Sequence, residues 1–316
     1  MTTSHLPVLC REAVASLNVQ ENGVYVDGTF GAGGYAREIL SQNNSCKVIA
    51  IDRDPEAIAR SRSLKNEFKE RFSIHQLCFG DIPSALQAEN IDGVDGMVFD
   101  LGVSSPQIDD AGRGFSFKQN GPLDMRMGSS DLTAADVVNT YDEKDIADIL
   151  FTYGEERRSR AIAKAIVKQR QEKHFETTGE LASVIRSVLG KGGQKIDPAT
   201  RTFQGLRIYI NRELEELETA LKNSLELLKK NGRISIVTFH SLEDRIVKKF
   251  FKKNSGNSPK GSRYLPDVTP EPAFLKLIHT KPITPTDSEI TLNPRARSAK
   301  LRTAERLPEK IIGDLT

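Results

Sequence analysis

The chain has 316 residues, enough for one large domain or two modest ones, and a formal net charge of +2. A balance so close to neutral excludes a uniformly basic coat, so any basic surface must be local. Three cysteines, Cys10, Cys46 and Cys78, with no Cys-x-x-Cys pair argue against a disulfide framework or a zinc ribbon, and no apolar run approaches the roughly 20 residues that span a bilayer. No basic-then-apolar leader is read in Met1–Val8, and a cytoplasmic location is expected.

The first element is a short β-branched and apolar run, Val24 to Asp27, which ends in a carboxylate. The chain then turns through Gly28, Gly31, Gly33 and Gly34 into a helical stretch starting near Tyr35. Glycines there allow positive φ and a close approach of backbone to ligand. A second strand, Lys47 to Asp52, places the Asp52 carboxylate where it can accept hydrogen bonds from a ribose diol. Asp54 can cap the next helix and Pro55 suits its first position. The glycines are compressed relative to a dinucleotide fingerprint, and Asp27 would repel a pyrophosphate. The same carboxylate suits a ligand bearing an ammonium group, such as the methionine moiety of S-adenosylmethionine, better than a nicotinamide dinucleotide.

The αβ alternation continues with a helix to about Glu70 and a strand near Phe72 to Leu77. Phe79 follows, where flanking an adenine and filling a core are equally open readings. A fourth strand, Gly96 to Asp100, runs into Leu101–Gln107, a loop expected to border the reactive group because ligands sit outside the carboxyl ends of strands. The pattern then breaks into turns and helices, with helical stretches at Ala134 to Asn139, Lys144 to Phe151 and Arg158 to Gln171. An amphipathic helix over Gly205 to Leu228 and a strand over Gly232 to Phe239 restore the sheet. The fold class is therefore α/β, an open sheet with an inserted helical domain. Residues 1–106 and 205–316 form the sheet domain, and residues 107–204 form the helical insertion, assigned to substrate recognition.

His240-Ser-Leu-Glu-Asp244 carries the residue types of a hydrolase triad, but neighbours on one loop rarely meet in that geometry. Lining a substrate entrance and anchoring a loop both remain open for His240 and Asp244. The histidines lack companion spacing for zinc, and no metal site is expected. Basic residues cluster at Arg157, Arg158, Arg160, Lys164, Lys168 and Arg170, and again at Arg295, Arg297, Lys300, Arg302 and Arg306. These are candidate nucleic-acid contacts, with a merely solvated face as the alternative. The segment Lys252 to Pro272 reads as a loop that orders on a partner.

The strings Asp27-Gly-Thr-Phe-Gly31, Asp52-Arg-Asp-Pro55, Asp100-Leu-Gly-Val-Ser-Ser-Pro-Gln107, Arg113-Gly-Phe-Ser-Phe117, Gly121-Pro-Leu-Asp-Met-Arg-Met127, Tyr153-Gly-Glu-Glu-Arg157, Pro198-Ala-Thr-Arg-Thr-Phe-Gln204, Phe239-His-Ser-Leu-Glu-Asp-Arg245 and Asn293-Pro-Arg-Ala-Arg297 are similar to those of one family. Over nearly its whole length the chain resembles the small-subunit ribosomal RNA methyltransferase H family, also called MraW. The resemblance implies a Rossmann-like methyltransferase sheet. It also implies S-adenosylmethionine-dependent methylation of the exocyclic N4 of a cytidine in the decoding centre of 16S ribosomal RNA, within the small subunit. It assigns cofactor contacts to Gly33, Gly34, Tyr35, Asp52, Phe79, Asp100 and Gln107. Tyr35 departs from the histidine common at that position, which matters only if the contact runs through the side chain.

A cytosine amine is a poor nucleophile, so the site must supply acceptors that align it and take its proton. Asp100, Ser104 and Ser105 are the expected catalytic residues, and His240, Asp244, Arg157, Arg295 and Arg297 the expected RNA contacts. A catalytically silent RNA-binding factor on the same fold is the alternative function, and a homodimer is left open.

Overall fold

The glycine-rich segment opens with a strand, β1 (Val24–Asp27), and leads to a second, β2 (Lys47–Asp52), buried at four consecutive positions. Such a near-continuous apolar run is what a parallel strand covered on both faces requires. With β3 (Phe72–Gln76), β4 (Val94–Asp100), β5 (Leu228–Thr238), β6 (Leu275–Leu277) and β7 (Lys300–Arg306), they form one sheet in the order β3-β2-β1-β4-β5-β7-β6. Strands β1 to β5 pair in parallel, and β7 runs antiparallel to both β5 and β6. The computed structural model describes residues 7–128, 130–190, 197–256 and 273–308. They divide into two units, residues 1–102 with 215–316, and residues 103–214.

Alternate residues of each strand feed two cores. Tyr25, Val48, Ala50 and Val98 face one cluster together with α1 (Cys10–Leu17) and α2 (Gly34–Gln42). Val26, Ile49, Ile51, Met97 and Phe99 face the other. The helix expected to reach Glu70 is two helices, α3 (Pro55–Arg60) and α4 (Arg62–Phe68). Asp54 caps the first, accepting from Glu56 N at 3.0 Å. After β3 comes α5 (Ile82–Ala88), whose Ile82, Ala85 and Leu86 join the second cluster.

The unit 103–214 contains α6 (Ser105–Asp109), α7 (Ala134–Thr140), α8 (Glu143–Gly154), α9 (Ser159–Glu172), α10 (Thr178–Leu189) and α11 (Thr200–Asn211). Its own core includes Leu123, Met125, Ile146, Leu150, Ile162, Leu181 and Leu206. Helix α11 lies wholly in this unit, because Phe203, Leu206 and Ile210 are buried in that core. The unit's limits therefore fall at 103 and 214, not at the 107 and 204 expected from sequence. Gly154 and Gly205 let α8 and α11 meet closely, since a Cβ on Gly205 would stand 2.9 Å from Gly154 N. Two strings of the family resemblance are folding knots here. Arg113 donates to Arg126 O at 3.0 Å, and Asn211 bridges Met125 O and Met127 N at 2.8 and 2.9 Å.

The single helix expected over 205–228 is broken at Arg212, whose φ of 50° ends α11 before α12 (Glu213–Leu227) begins. No glycine or proline marks that break. Leu217, Ala220 and Leu221 of α12, with Val247 and Phe251 of α13 (Ser241–Asn254), complete the second face of the sheet. Most of the segment Lys252 to Pro272 lies outside the described residues, while Lys252 to Asn254 end α13. Among the described residues no helix is long and apolar enough to cross a membrane.

Candidate active site

Strand order reverses between β1 and β4, and the crevice outside their carboxyl ends is where an open α/β sheet takes a ligand. Asp27 ends β1, Asp52 ends β2 and Asp100 ends β4. Asp27 is fully buried, and its two oxygens accept from Thr29 N at 3.3 Å and Ala36 N at 3.1 Å. It thus ties the glycine loop to the first turn of α2. Burial, helped by neighbouring Asp52, pushes this carboxyl up to about 7 against the pull of the two N–H groups. The sequence reading set Asp27 against a ligand's ammonium group. With no exposed surface it acts on the crevice through its field, which carries well in a low-dielectric interior.

Gly31 and Gly33 adopt φ of 53° and 80°, and Gly33 caps α2. A Cβ on Gly28 would stand 2.3 Å from the Phe99 ring, and one on Gly34 2.2 Å from Pro7, so both positions are held by packing. Gly34 and Tyr35 open α2, where the first N–H groups have no partner within the helix. The Tyr35 side chain is buried in the core and its hydroxyl donates to Val8 O. Only the Tyr35 backbone is thereby left to face a ligand.

Asp52 accepts from Gly31 N at 2.7 Å and Asp54 N at 2.9 Å, one bond on each oxygen. A carboxylate has about four lone-pair sites, which leaves acceptors for a diol. Burial raises the Asp52 carboxyl, and the bonds from Asp54 and Gly31 only partly offset it. Phe79 is half-buried and meets Phe99 edge-on at 5.9 Å. It is packed against the second core cluster, with a partly accessible ring.

Asp100 N donates to Thr29 Oγ1 at 2.6 Å, joining the loops that follow β1 and β4. Asp100 Oδ1 is buried and has no hydrogen-bond partner among the described residues. Burial, then the charges of Asp27 and Glu243, raise this carboxyl well above the ordinary range. On β5 the residue paired with Asp100 is Val237, and His240 lies three positions further on. The His240 ring nitrogens are buried, and Nε2 stands 3.0 Å from Glu243 Oε1, within hydrogen-bond reach. Glu243 is itself buried and accepts from Phe239 N at 2.8 Å and His240 N at 3.3 Å, fixing the loop after β5. Thr29 and Glu243 were not singled out from sequence. The signal for Glu243 is its place three residues after the residue that opens a helix, the spacing of a capping box. A buried carboxylate oxygen without a partner among the described residues, with an acidic field around it, fits a cationic, hydrogen-bond-donating ligand.

The MraW methylase family model matches residues 2–307. The chain belongs to the MraW methylase family. Its relatives include proteins named ribosomal RNA small subunit methyltransferase H. That of Rhodospirillum rubrum is 52% identical over 96% of this chain and 94% of its own length. Those of Paramagnetospirillum magneticum and Methylobacterium nodulans are 51% and 50% identical, over 96% and 99% of this chain and 95% and 93% of theirs. Likeness to solved structures is remote. An rRNA methylase from Streptococcus thermophilus aligns over 94% of this chain and 95% of its own at 10% identity, with a TM-score of 0.42.

The remaining residues that the MraW resemblance singled out are placed as follows. In the unit 103–214, Gln107 is buried and its side-chain oxygen accepts from Ser104 N at 2.9 Å, so its amide caps α6. Ser104 Oγ is buried and faces the Gln107 backbone in a capping box that opens α6, and Ser105 is half-buried. Asp244 is taken up structurally. Arg302 Nε and Lys300 Nζ donate to it at 2.7 and 3.0 Å, and although burial alone would raise its carboxyl, these two cations hold it below the usual range. The C-terminal basic cluster is consequently in part a strand. Lys300, Arg302 and Arg306 lie on β7, and Arg306 stacks over Phe274 at 5.3 Å, while Arg295 and Arg297 are exposed on the short turn before it. In the other cluster Arg170 is spent on Val138 O and Tyr141 O at 3.0 and 2.6 Å, and Arg157 is exposed.

Proposed function

We propose that this protein methylates the exocyclic N4 of a cytidine in the decoding centre of 16S ribosomal RNA, using S-adenosylmethionine. The observation that carries the reading is the match to the MraW methylase family over residues 2–307, with relatives about half identical that are named for small-subunit ribosomal RNA. S-adenosylmethionine supplies a methyl group made electrophilic by its sulfonium charge. The first-turn N–H groups of Gly34 and Tyr35 and the loop at Gly33 suit its carboxylate, Asp52 its ribose hydroxyls, and Phe79 the flank of its adenine.

Asp100 accepts a hydrogen bond from the cytosine amine at Oδ1 and so aligns the nitrogen, then receives the proton that N4 releases. Its raised proton affinity favours that last role. Ser104 Oγ offers a second acceptor or donor to the base, with Ser105 beside it in sequence. Gln107 acts by holding the start of α6, on which those serines stand. His240, beside Glu243 at the start of α13, is assigned to the substrate base or its phosphate, and Arg157, Arg295 and Arg297 to phosphates. The unit 103–214 is assigned to recognition of the RNA. Asp244 is left out, because two cations already occupy it.

The test is methyl transfer from labelled S-adenosylmethionine to small ribosomal subunits lacking the modification, followed by digestion and mass spectrometry of the nucleosides. N4-methylcytidine is the expected product. A different methylated nucleoside would move the target, and no product despite cofactor binding would point to a silent RNA-binding role.

A further inference from the structure

Within the unit 103–214 the turn from α8 to α9 brings together an exposed aromatic and a set of unpaired cations. Phe151, near the end of α8, is 62% exposed. Glu155 adopts a φ of 49° and Glu156 N returns to donate to Leu150 O at 3.1 Å. That bond sets Arg157 and Phe151, each the next residue along, at one corner. Arg158 and Arg160 follow at the start of α9, and Arg160, Lys164 and Lys168 recur every four residues, a single exposed face about 12 Å long. The opposite face carries Ile162, Ala163 and Ile166 into the core.

The fold alone gives no reason for this arrangement. Like charges at i, i+4 weaken a helix, and cations at its first turn oppose the helix dipole. The first turn of α9 holds no acidic residue. Several other cations of this unit are neutralised, as in Lys173 with Glu180, Arg186 with Asp197 and Arg207 with Glu213. Arg157, Arg158, Arg160, Lys164 and Lys168 have no ion-pair partner among the described residues. A solvated face would account for the cations but not for a bare phenylalanine at the turn that precedes them.

We infer that the α8–α9 corner is a docking platform for an unpaired segment of the RNA substrate, in which a splayed base stacks on Phe151 and the backbone follows the cations of α9. Aromatic faces beside cations are what single-stranded RNA requires, since stacking tolerates any base and the charges meet phosphates. The inference rests on the proposed RNA substrate and names residues other than those assigned to chemistry.

Two variants test it, Phe151→Ala and the triple change Arg160→Gln, Lys164→Gln and Lys168→Gln. Each is measured for methyl transfer to small subunits, for affinity toward a single-stranded fragment of the small-subunit RNA across a salt series, and for S-adenosylmethionine affinity. The triple variant is expected to raise KM about tenfold with kcat and cofactor affinity unchanged. It should also flatten the log–log salt slope by about 2, as loss of three phosphate contacts to a single strand requires. Phe151→Ala is expected to weaken RNA binding about tenfold without changing that slope, and Phe151→Trp to restore it. Unchanged RNA affinity and slope in both variants would overturn the platform. If the wild-type protein transfers no methyl group, the proposed function fails, and the RNA affinities still decide the platform.

Discussion

Arg302 Nε donates to Asp244 Oδ1 at 2.7 Å, and the pair locks α13 to the antiparallel strand β7. Both side chains are largely buried, and Lys300 supplies a second bond to the same carboxylate. Removing one member of such a group strands the other charges, at a cost of about 3 kcal/mol. Asp244→Ala is therefore expected to lower the melting temperature by several degrees while S-adenosylmethionine affinity, corrected for the folded fraction, stays within about twofold. A variant with unaltered stability but defective RNA binding would return Asp244 to the substrate.

Tyr35 offers a complementary case, a residue in the cofactor loop whose side chain faces the core. Tyr35→Phe removes the hydroxyl bond to Val8 O and leaves the ring in place, so a loss of about 1 kcal/mol in stability is expected. The backbone N–H is untouched, and calorimetric titration with S-adenosylmethionine should give the wild-type affinity. A large fall in affinity would place the tyrosine side chain, and not the backbone, against the cofactor.

How much of this was legible in the sequence follows from which signals are local. Strands β1 to β5, the glycine turn and the Asp54 cap are written in contiguous residues, as runs of β-branched side chains or as cap spacing. The break at Arg212 was hidden because an arginine carries no local sign of positive φ, and the turn is fixed by distant contacts such as Asn211 to Met125 and Met127. Strand β7 was hidden for a similar reason. Its Lys300, Arg302 and Arg306 read as a charge cluster, whereas two of these cations are consumed by Asp244 on α13. Asp27 was recognised as important, but its contacts, Thr29 N and Ala36 N, show a brace for the loop that only the folded chain reveals.

The two raised carboxyls predict how cofactor affinity varies with pH. Asp27 is pushed up to about 7 and Asp100 is raised well above its ordinary range, so both hold protons more tightly than exposed carboxyls do. A ligand carrying sulfonium and ammonium charges favours their ionised forms. S-adenosylmethionine affinity should therefore rise from about pH 6 to about pH 8, with proton release on binding. For the ligand-free protein the sign is the reverse. Asp27 binds its proton more tightly when folded than unfolded, so its contribution to stability is full below about pH 4 and is lost as pH rises through about 7. Titration calorimetry in buffers of different ionisation enthalpy measures the proton count directly. PH-independent affinity with no proton release would rule out a carboxylate coupled to the cofactor.

Asp100→Asn separates orientation from proton acceptance at the end of β4. Asparagine preserves size and can still accept a hydrogen bond, but it cannot take up the proton released by N4 and can turn an N–H toward the amine. The Asp100 N bond to Thr29 Oγ1 uses the backbone and survives, so the loop geometry should hold. A single-turnover rate of methyl transfer lower by about a hundredfold or more, with RNA affinity retained, is the expected outcome. Cofactor affinity should lose its rise with pH in part, because one of the two raised carboxyls is gone. Ser104→Ala serves as the comparison, since its buried Oγ is the other group assigned to the base. If Ser104→Ala stops turnover while Asp100→Asn spares it, the proton acceptor is not the aspartate, and the carboxylate of Asp100 belongs to the cofactor site alone.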